Sequence, residues 1–575
     1  MLFDLQEGKT ENIRVACIEA IASISGKMEW KSYFALLRRC FRDLTKRPDK
    51  KKVLLRLICS ILDNFHFQEN TSVVGSTRLF GSTVVTSDMQ ACLSKYVFPK
   101  IQKFMNSQSE RVDIYVHLAA LKVLKLLPED VMDSQLLSII HHIVNFLKNR
   151  LESVREEARS ALAACLKELG SEYLQVIVRV LRGSLKRGYE LHVLGYTLNF
   201  ILTKFFTAPA FGKMDYLLDD LISIVEKDIL GEVSEEKEVE KLASKMKETR
   251  KQKSFETLKL IAQSVTFKSH ALKLLRPVTD HMKKHLTPKV KAKLENMLTN
   301  IAAGFESNPS VNQTDLLVFI YGLIEDGIKV ENGQGESTSL LDANKRSKDV
   351  SRGKNLSCQI ILAKSPCSHL IMVFALKLLH GYMKKMQLGK EHVPLLSMLD
   401  PFVSLLGNCL TSKYEDVLSL TLRCLTPLLR LPLPSVKSQA DKIKGVVLNI
   451  AQSSVDPCNP LVESCLRSLT VLLRNEQVTL STDQLHLVIQ FPLFVDIHKN
   501  PSFVALSLLK AIVSCKLVVP EIYDLAIRVA ELMVTSQVEP IRKKCSKILL
   551  QFLLDYRLSE KRLQQHLDFL LSNLR

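Results

Sequence analysis

From Glu152 to Phe206 the apolar residues recur at helical spacing and stop at glycine. Ala158, Ala161, Leu162, Cys165 and Leu169 fall on one face of a helix. Gly170 is placed to end it, because glycine takes a left-handed backbone without strain. Val176, Ile177, Val180 and Leu181 begin a second stripe, which Gly183 and Gly188 are expected to break. Neither helix is long enough to bury its stripe alone, so the pattern predicts short helices that pair and stack.

The same register returns along the chain. Glu11-Asn-Ile13-Arg14 leads to Cys17, Ala20, Ile21 and Ile24; Glu539-Pro-Ile541-Arg542 leads to Cys545, Ile548, Leu549 and Phe552. With Glu152-Ser-Val154-Arg155 these define one template: Glu-x-(Ile/Val)-Arg-x-x-(Ala/Cys), then apolar residues three, four and seven further on. Looser copies start at Val112, Val417, Leu461 and Ser502. Pro460, Pro501 and Pro540 are expected at the first helical position, where a missing N–H costs nothing, with Asn459 and Asn500 as N-caps. The copies lie 42 (112 to 154), 44 (417 to 461), 41 (461 to 502) and 39 (502 to 541) residues apart. Such periods belong to HEAT or armadillo repeats, whereas tetratricopeptide and ankyrin arrays run at about 34 and 33. The expected fold is an all-α, HEAT/armadillo-like α-solenoid, a right-handed superhelix of roughly 11–13 helix pairs.

Breaks in the period divide the chain. Residues 1–66 read as repeats, 67–90 as a Gly/Ser/Thr-rich inserted loop, and 91–230 as repeats again. A basic helical segment covers 231–300, expected as one long polar helix to about Val265, with the remainder broken by Pro277 and Pro288. Helices return over 301–330; 331–357 is polar, aperiodic and expected to be disordered; repeats fill 358–575. The template starts at Glu11 with almost no capping helix before it, so the chain reads as a piece of a longer array. Its start lacks the basic and long apolar regions of a secretory signal, and no run of about 20 apolar residues marks a membrane span.

Charge changes the picture. The 575 residues hold 79 Lys/Arg against 60 Asp/Glu, a net +19, which suits an acidic partner, nucleic acid first. Over half of that excess lies in Lys237–Lys293, where 16 Lys/Arg face 5 Asp/Glu, a local +11. Lys245, Lys247, Arg250, Lys251 and Lys253 cluster there; as a continuous helix they would ring it as a charged rod suited to phosphates rather than base edges. Lys283 and Lys284 follow, and Lys186-Arg187 precede, beside Tyr189, a residue more often used for packing than for stacking on a base. These nine cations are the candidate RNA-phosphate contacts. The run Lys46-Arg47-Pro48-Asp49-Lys50-Lys51-Lys52 reads as a nuclear import signal or as a solvated basic turn.

Catalytic chemistry is not nominated. Gly8-Lys9-Thr10 lacks the first P-loop glycine, Phe3 standing in its place. Gly333 and Gly335 lack the third glycine of a dinucleotide fingerprint. His281 and His285 share a helical spacing but have no third ligand; His141-His142 read as one exposed and one packed. The 13 cysteines include no Cys-x-x-Cys, and Cys17, Cys165, Cys465 and Cys545 fall on core positions, as small apolar residues do in a reducing compartment. No cofactor, metal, membrane or small-molecule substrate is expected.

Three stretches carry a resemblance: Ile13–Ser32 (Ile-Arg-Val-Ala-Cys-Ile-Glu-Ala-Ile-Ala…), Leu181–Phe200 (Leu-Arg-Gly-Ser-Leu-Lys-Arg-Gly-Tyr-Glu…) and Glu238–Leu260 (Glu-Val-Glu-Lys-Leu-Ala-Ser-Lys-Met-Lys…). They resemble the small-subunit processome component 20 family, very large HEAT-repeat proteins associated with the U-three small nucleolar ribonucleoprotein, here as an interior-to-C-terminal fragment. The resemblance implies a scaffold in the nucleus and nucleolus, without catalytic residues. Its implied partners are pre-ribosomal RNA and processome proteins, and its implied role is to support early cleavages that release the small-subunit RNA. The alternative is a HEAT-repeat protein–protein scaffold or transport adaptor that binds no RNA.

Overall fold

The computed structural model describes residues 11–67, 87–107, 112–186, 188–206, 212–231, 246–284, 286–332, 368–386, 393–453, 459–475, 478–495, 497 and 501–573. The inserted loop and the polar segment after 331 lie almost wholly outside these. The described residues are helical, with no strand among them. None of the helices described is long and apolar enough to cross a membrane.

The chain forms two compact units, residues 1–277 with 292–310, and residues 278–291 with 311–575. In the first, the helices Glu11–Ser25, Lys51–Asp63, Ile114–Leu124, Glu152–Leu169, Glu190–Phe205 and Ser254–Ser264 stack in succession as one layer. Helices such as Trp30–Lys46, Glu129–Phe146 and Leu218–Leu230 pack against that layer as partners. In the second unit the stacked layer is His369–Lys385, Glu415–Leu428, Pro460–Arg474, Phe503–Ser514 and Glu539–Asp555, with Val393–Cys409, Pro434–Ser453 and Pro520–Thr535 as partners. Every copy of the sequence template marks a helix of a stacked layer, so its period is the repeat of an all-α, HEAT/armadillo-like helical array.

The template has a local cause at each position. Its Glu opens the helix at Glu11, Glu152 and Glu539, where a carboxylate favours the positive end of the helix dipole. Its Arg secures the preceding turn: Arg155 Nη1 donates to the carbonyls of Asn149 and Arg150 (3.0 and 2.9 Å), and Arg542 Nη1 to that of Ser536 (2.9 Å). Cys17, Ala158, Leu162, Cys465, Leu469, Cys545 and Leu549 are all buried. Burial pushes the Cys165 and Cys465 thiols up to about 12, so they behave as apolar filler rather than nucleophiles. Gly170 closes its helix at φ 106°.

Four local expectations are corrected. Gly183 lies inside the helix Leu174–Ser184, and it is Gly188, at φ 48°, that marks the turn. Only Pro460 takes the first helical position, capped by Asn459, whose Oδ1 accepts from Leu461 N–H at 2.8 Å. Pro540 comes second, after Glu539, and Pro501 lies outside its helix, which starts at Phe503 because the Ser502 hydroxyl caps it; Asn500 is outside the described residues. Pro277 sits within Phe267–Met282: buried Leu274, Leu275, Val278 and Met282 continue the stripe past it, and their packing outweighs a lost bond and a clash of about 3 kcal/mol. The long polar helix to Val265 is absent from the described residues, for a reason that belongs to the basic segment itself.

Candidate nucleic-acid interface

The basic segment is laid onto the repeat array by one buried carboxylate. Lys247–Arg250 forms a single helical turn and Ser254–Ser264 a separate helix. Between them Gln252 donates to the Asp228 carbonyl (2.7 Å), and Ser254 Oγ bonds the Asp228 carboxylate. The helix is interrupted at Lys251–Lys253, and Glu248 points inward. It accepts from Arg155 Nε and Nη2 (2.8 and 2.7 Å) and from Arg159 Nη1 (2.8 Å), all three side chains being at most 2% exposed. Burial pushes the Glu248 carboxyl up, and the hydrogen bonds from Arg155 and Arg159 more than offset it, leaving it at about 2. Arg159 also lies over the Tyr196 ring, 4.9 Å from its centroid. The charge of Arg155, the template arginine, and of Arg159 is therefore internal.

The candidate contacts divide accordingly. Lys247 Nζ lies 3.1 Å from Glu152 and 3.5 Å from Glu156, and the hydrogen bond to Glu152 raises its pKa. Lys253 pairs with Glu256 at 2.5 Å and Lys283 with Asp280 at 2.9 Å. Arg250, Lys251 and Lys284 are exposed. Lys186 is exposed at a different turn, its backbone N–H donating to Glu190 (3.1 Å). Arg187 and Lys245 lie outside the described residues. Tyr189 donates to the Lys148 carbonyl (3.2 Å), the packing role. Lys46, Arg47 and Lys52 are exposed and Lys50 and Lys51 half-buried, on a turn whose Pro48–Lys50 forms a 3-10 helix between two packed helices.

The second unit holds a basic surface that a search for local charge runs passes over. A groove of about 830 Å³ crosses the stacked helices, lined among others by Arg423, Arg430, Arg467, Arg474, Phe503 and Lys544. Its one acidic lining residue, Glu463, pairs with Arg467 at 2.7 Å. No carboxylate of the described residues pairs with Arg423, Arg430, Arg474 or Lys544. Burial, with Arg474, Lys510 and Lys547 nearby, lowers the pKa of Lys544; burial, Arg423 and Lys384 lower that of His380. The available signal was periodic: Arg423 and Arg467 each stand six residues after a template start, and Arg430 and Arg474 thirteen.

Side chains that could suggest catalysis are structural. Asp228 accepts from Ser254 Oγ and bonds His192 Nδ1 (2.6 Å), so serine and histidine share one carboxylate instead of forming a nucleophile–base pair. His142 is half-buried against the buried His117 (3.1 Å) and His141 is exposed. Among the described residues no three His, Cys, Asp or Glu side chains are grouped to hold a metal.

Residues 104–324 match the family model of the U3 small nucleolar RNA-associated protein 20 domain. Two proteins named U3 small nucleolar RNA-associated protein 20 are similar to nearly the whole chain. The one from Schizosaccharomyces pombe is 27% identical over 95% of this chain, and the one from Saccharomyces cerevisiae 26% identical over 96%. The chain spans 22% of the length of each. Among solved structures, Kap121p aligns with 99% of this chain and 54% of its own, at 12% identity and a TM-score of 0.38.

Proposed function

We propose that the chain is a member of the U3 small nucleolar RNA-associated protein 20 family, to which it is similar over nearly its whole length, and that it acts in small ribosomal subunit biogenesis as a non-catalytic scaffold of the nucleolar small-subunit processome, binding pre-ribosomal RNA and assembly factors. The observation that carries this reading is the match over nearly the whole chain to two proteins named for association with a small nucleolar RNA. The net charge of +19 supports the RNA part of it. Exposed Lys186, Arg250, Lys251 and Lys284 are available to phosphates; Lys247, Lys253 and Lys283 would exchange an acidic neighbour for one.

The test is crosslinking of the chain in cells followed by sequencing of the attached RNA. Enrichment of pre-ribosomal RNA spanning the small-subunit region is expected. Recovery of processome proteins with no RNA above background would replace this reading by the protein-only scaffold. In solution, replacing Lys245, Lys247, Arg250, Lys251 and Lys253 by Gln should flatten the dependence of log affinity on log salt by up to about 3.5 if all five contact single-stranded RNA.

A further inference from the structure

We propose that the groove across the helices Glu415–Leu428, Pro460–Arg474, Phe503–Ser514 and Glu539–Asp555 is a track for single-stranded RNA, with Arg423, Arg430, Arg467, Arg474 and Lys544 meeting phosphates and Phe503 stacking on a base. It rests on the RNA-binding reading above and adds the surface that performs it.

Register makes the track. Arg423 and Arg430 are seven residues apart, as are Arg467 and Arg474, and the second pair spans two turns of one helix. Arg467 and Arg474 therefore leave one face of the helix Pro460–Arg474, about 10 Å apart along the axis, while Arg423 lies on the helix Glu415–Leu428 and Arg430 in the turn that follows it. The two helices stack on each other at an interaxial distance of about 8–10 Å, the four arginines stand at equal offsets from the template, and all four line the same groove. Four guanidiniums thus form a grid, and Lys544 extends it two helices further. All four arginines are exposed. At this mesh like charges repel weakly in water and contribute nothing to the fold. What such a grid does well is hold a chain of anions, and guanidinium is the side chain whose planar fork fits phosphate oxygens.

Phe503 decides between RNA and an acidic polypeptide. Its ring is 52% exposed, and Lys544 Nζ stands 4.9 Å from its centroid. An exposed aromatic beside a cation is a stacking platform with a phosphate contact at its edge, the pairing that single-stranded nucleic acid uses. A polyglutamate segment has no flat face to place there. The base must be unpaired, since a duplex keeps its faces stacked inside.

The experiment uses the full chain and a fluorescent, unstructured RNA oligonucleotide of mixed sequence, titrated at several salt concentrations. Replacing Arg423, Arg430, Arg467 and Arg474 by Gln is expected to weaken binding at least tenfold at low salt and to flatten the salt slope by about 2.8. Replacing them by Lys keeps most of that slope. Phe503→Ala lowers RNA affinity about fivefold or more, while heparin, a polyanion without bases, binds as before. Wild-type affinity and slope in the four-fold Gln variant, with binding lost when Lys247, Arg250, Lys251 and Lys253 become Gln, overturn the track and leave the functional reading standing. No RNA binding by the wild type at any salt overturns both. Displacement of RNA by polyglutamate, with Phe503→Ala indistinguishable from wild type, assigns the groove to an acidic protein and overturns the track.

Discussion

At Lys247 the ammonium sits between Glu152 and Glu156, and one residue on, Glu248 is consumed by two buried arginines. At Arg423 and Arg430, in the second unit, no described carboxylate pairs with either guanidinium. The first region is the more basic in sequence, with a local +11, yet part of its charge is spent on holding a segment to the array. The second shows no charge run, because its arginines are separated by seven and by forty-four residues, and the stacking of repeats gathers them. Charge density along a chain and charge density on a surface are different quantities in a repeat protein, and the period converts one into the other.

The sharpest way to break this comparison is at Glu248. Glu248→Ala leaves Arg155 and Arg159 buried without their counter-charge and should destabilise the first unit by about 3–5 kcal/mol, read as a lowered urea midpoint. A change below about 1 kcal/mol would mean that the carboxylate is not the anchor. Next comes Leu549→Ala, on the stacked helix Glu539–Asp555 of the second unit. It removes a core side chain 3% exposed and should cost about 2–5 kcal/mol by the same measurement.

Acid probes the first region without mutation. Glu248 is protonated near its ordinary 4.5 when unfolded and at about 2 when folded. Its contribution, about 3 kcal/mol, is therefore present above pH 4.5 and lost as pH falls towards 2. His117 acts in a higher window. Burial holds it at about 4 against an ordinary 6.5, so the unfolded chain takes up its proton first and stability falls as pH drops from 6.5 to 4. Thermal melts of wild type and Glu248→Gln should converge as pH is lowered from 5 to 2, and His117→Gln should remove the loss between 6.5 and 4. The smallest effect is expected in the second region, where each of Arg423→Gln, Arg430→Gln and Arg474→Gln should change stability by less than about 0.5 kcal/mol. A larger loss would give those arginines a structural job.

The array was legible in the sequence because its signal is repeated. Template starts at Val417, Leu461, Ser502 and Ile541 mark helices that do stack on one another, and the residues expected in the core, from Cys17 to Leu549, are buried. Local expectations failed where one residue was read without its partners. Ser502 starts its helix later than Pro501 suggested, and the stripe around Leu274 carries a helix through Pro277. The basic segment was legible as charge but not as conformation, since the contacts that hold it to the array join Glu248 to Arg155, 93 residues away, and Gln252 to Asp228. The groove was invisible to a scan for clusters and becomes visible only when positions are compared at equal offsets within the repeat.

The spacings between template starts, 44, 41 and 39 residues across the second unit, differ although the helices they mark stack in succession. Part of the difference lies in the stacked helices themselves, which run 14, 15 and 12 residues, and the rest in the turns and partner helices. Evolution therefore meets two kinds of site in this chain. A residue gained or lost in a turn changes the period and leaves the grid facing the same way. One gained inside Glu415–Leu428 ahead of Arg423 would swing Arg423 about 100° around the helix axis. Length should drift freely at the turns among related chains, while the number of residues from helix start to arginine is held, a constraint on counting rather than on composition.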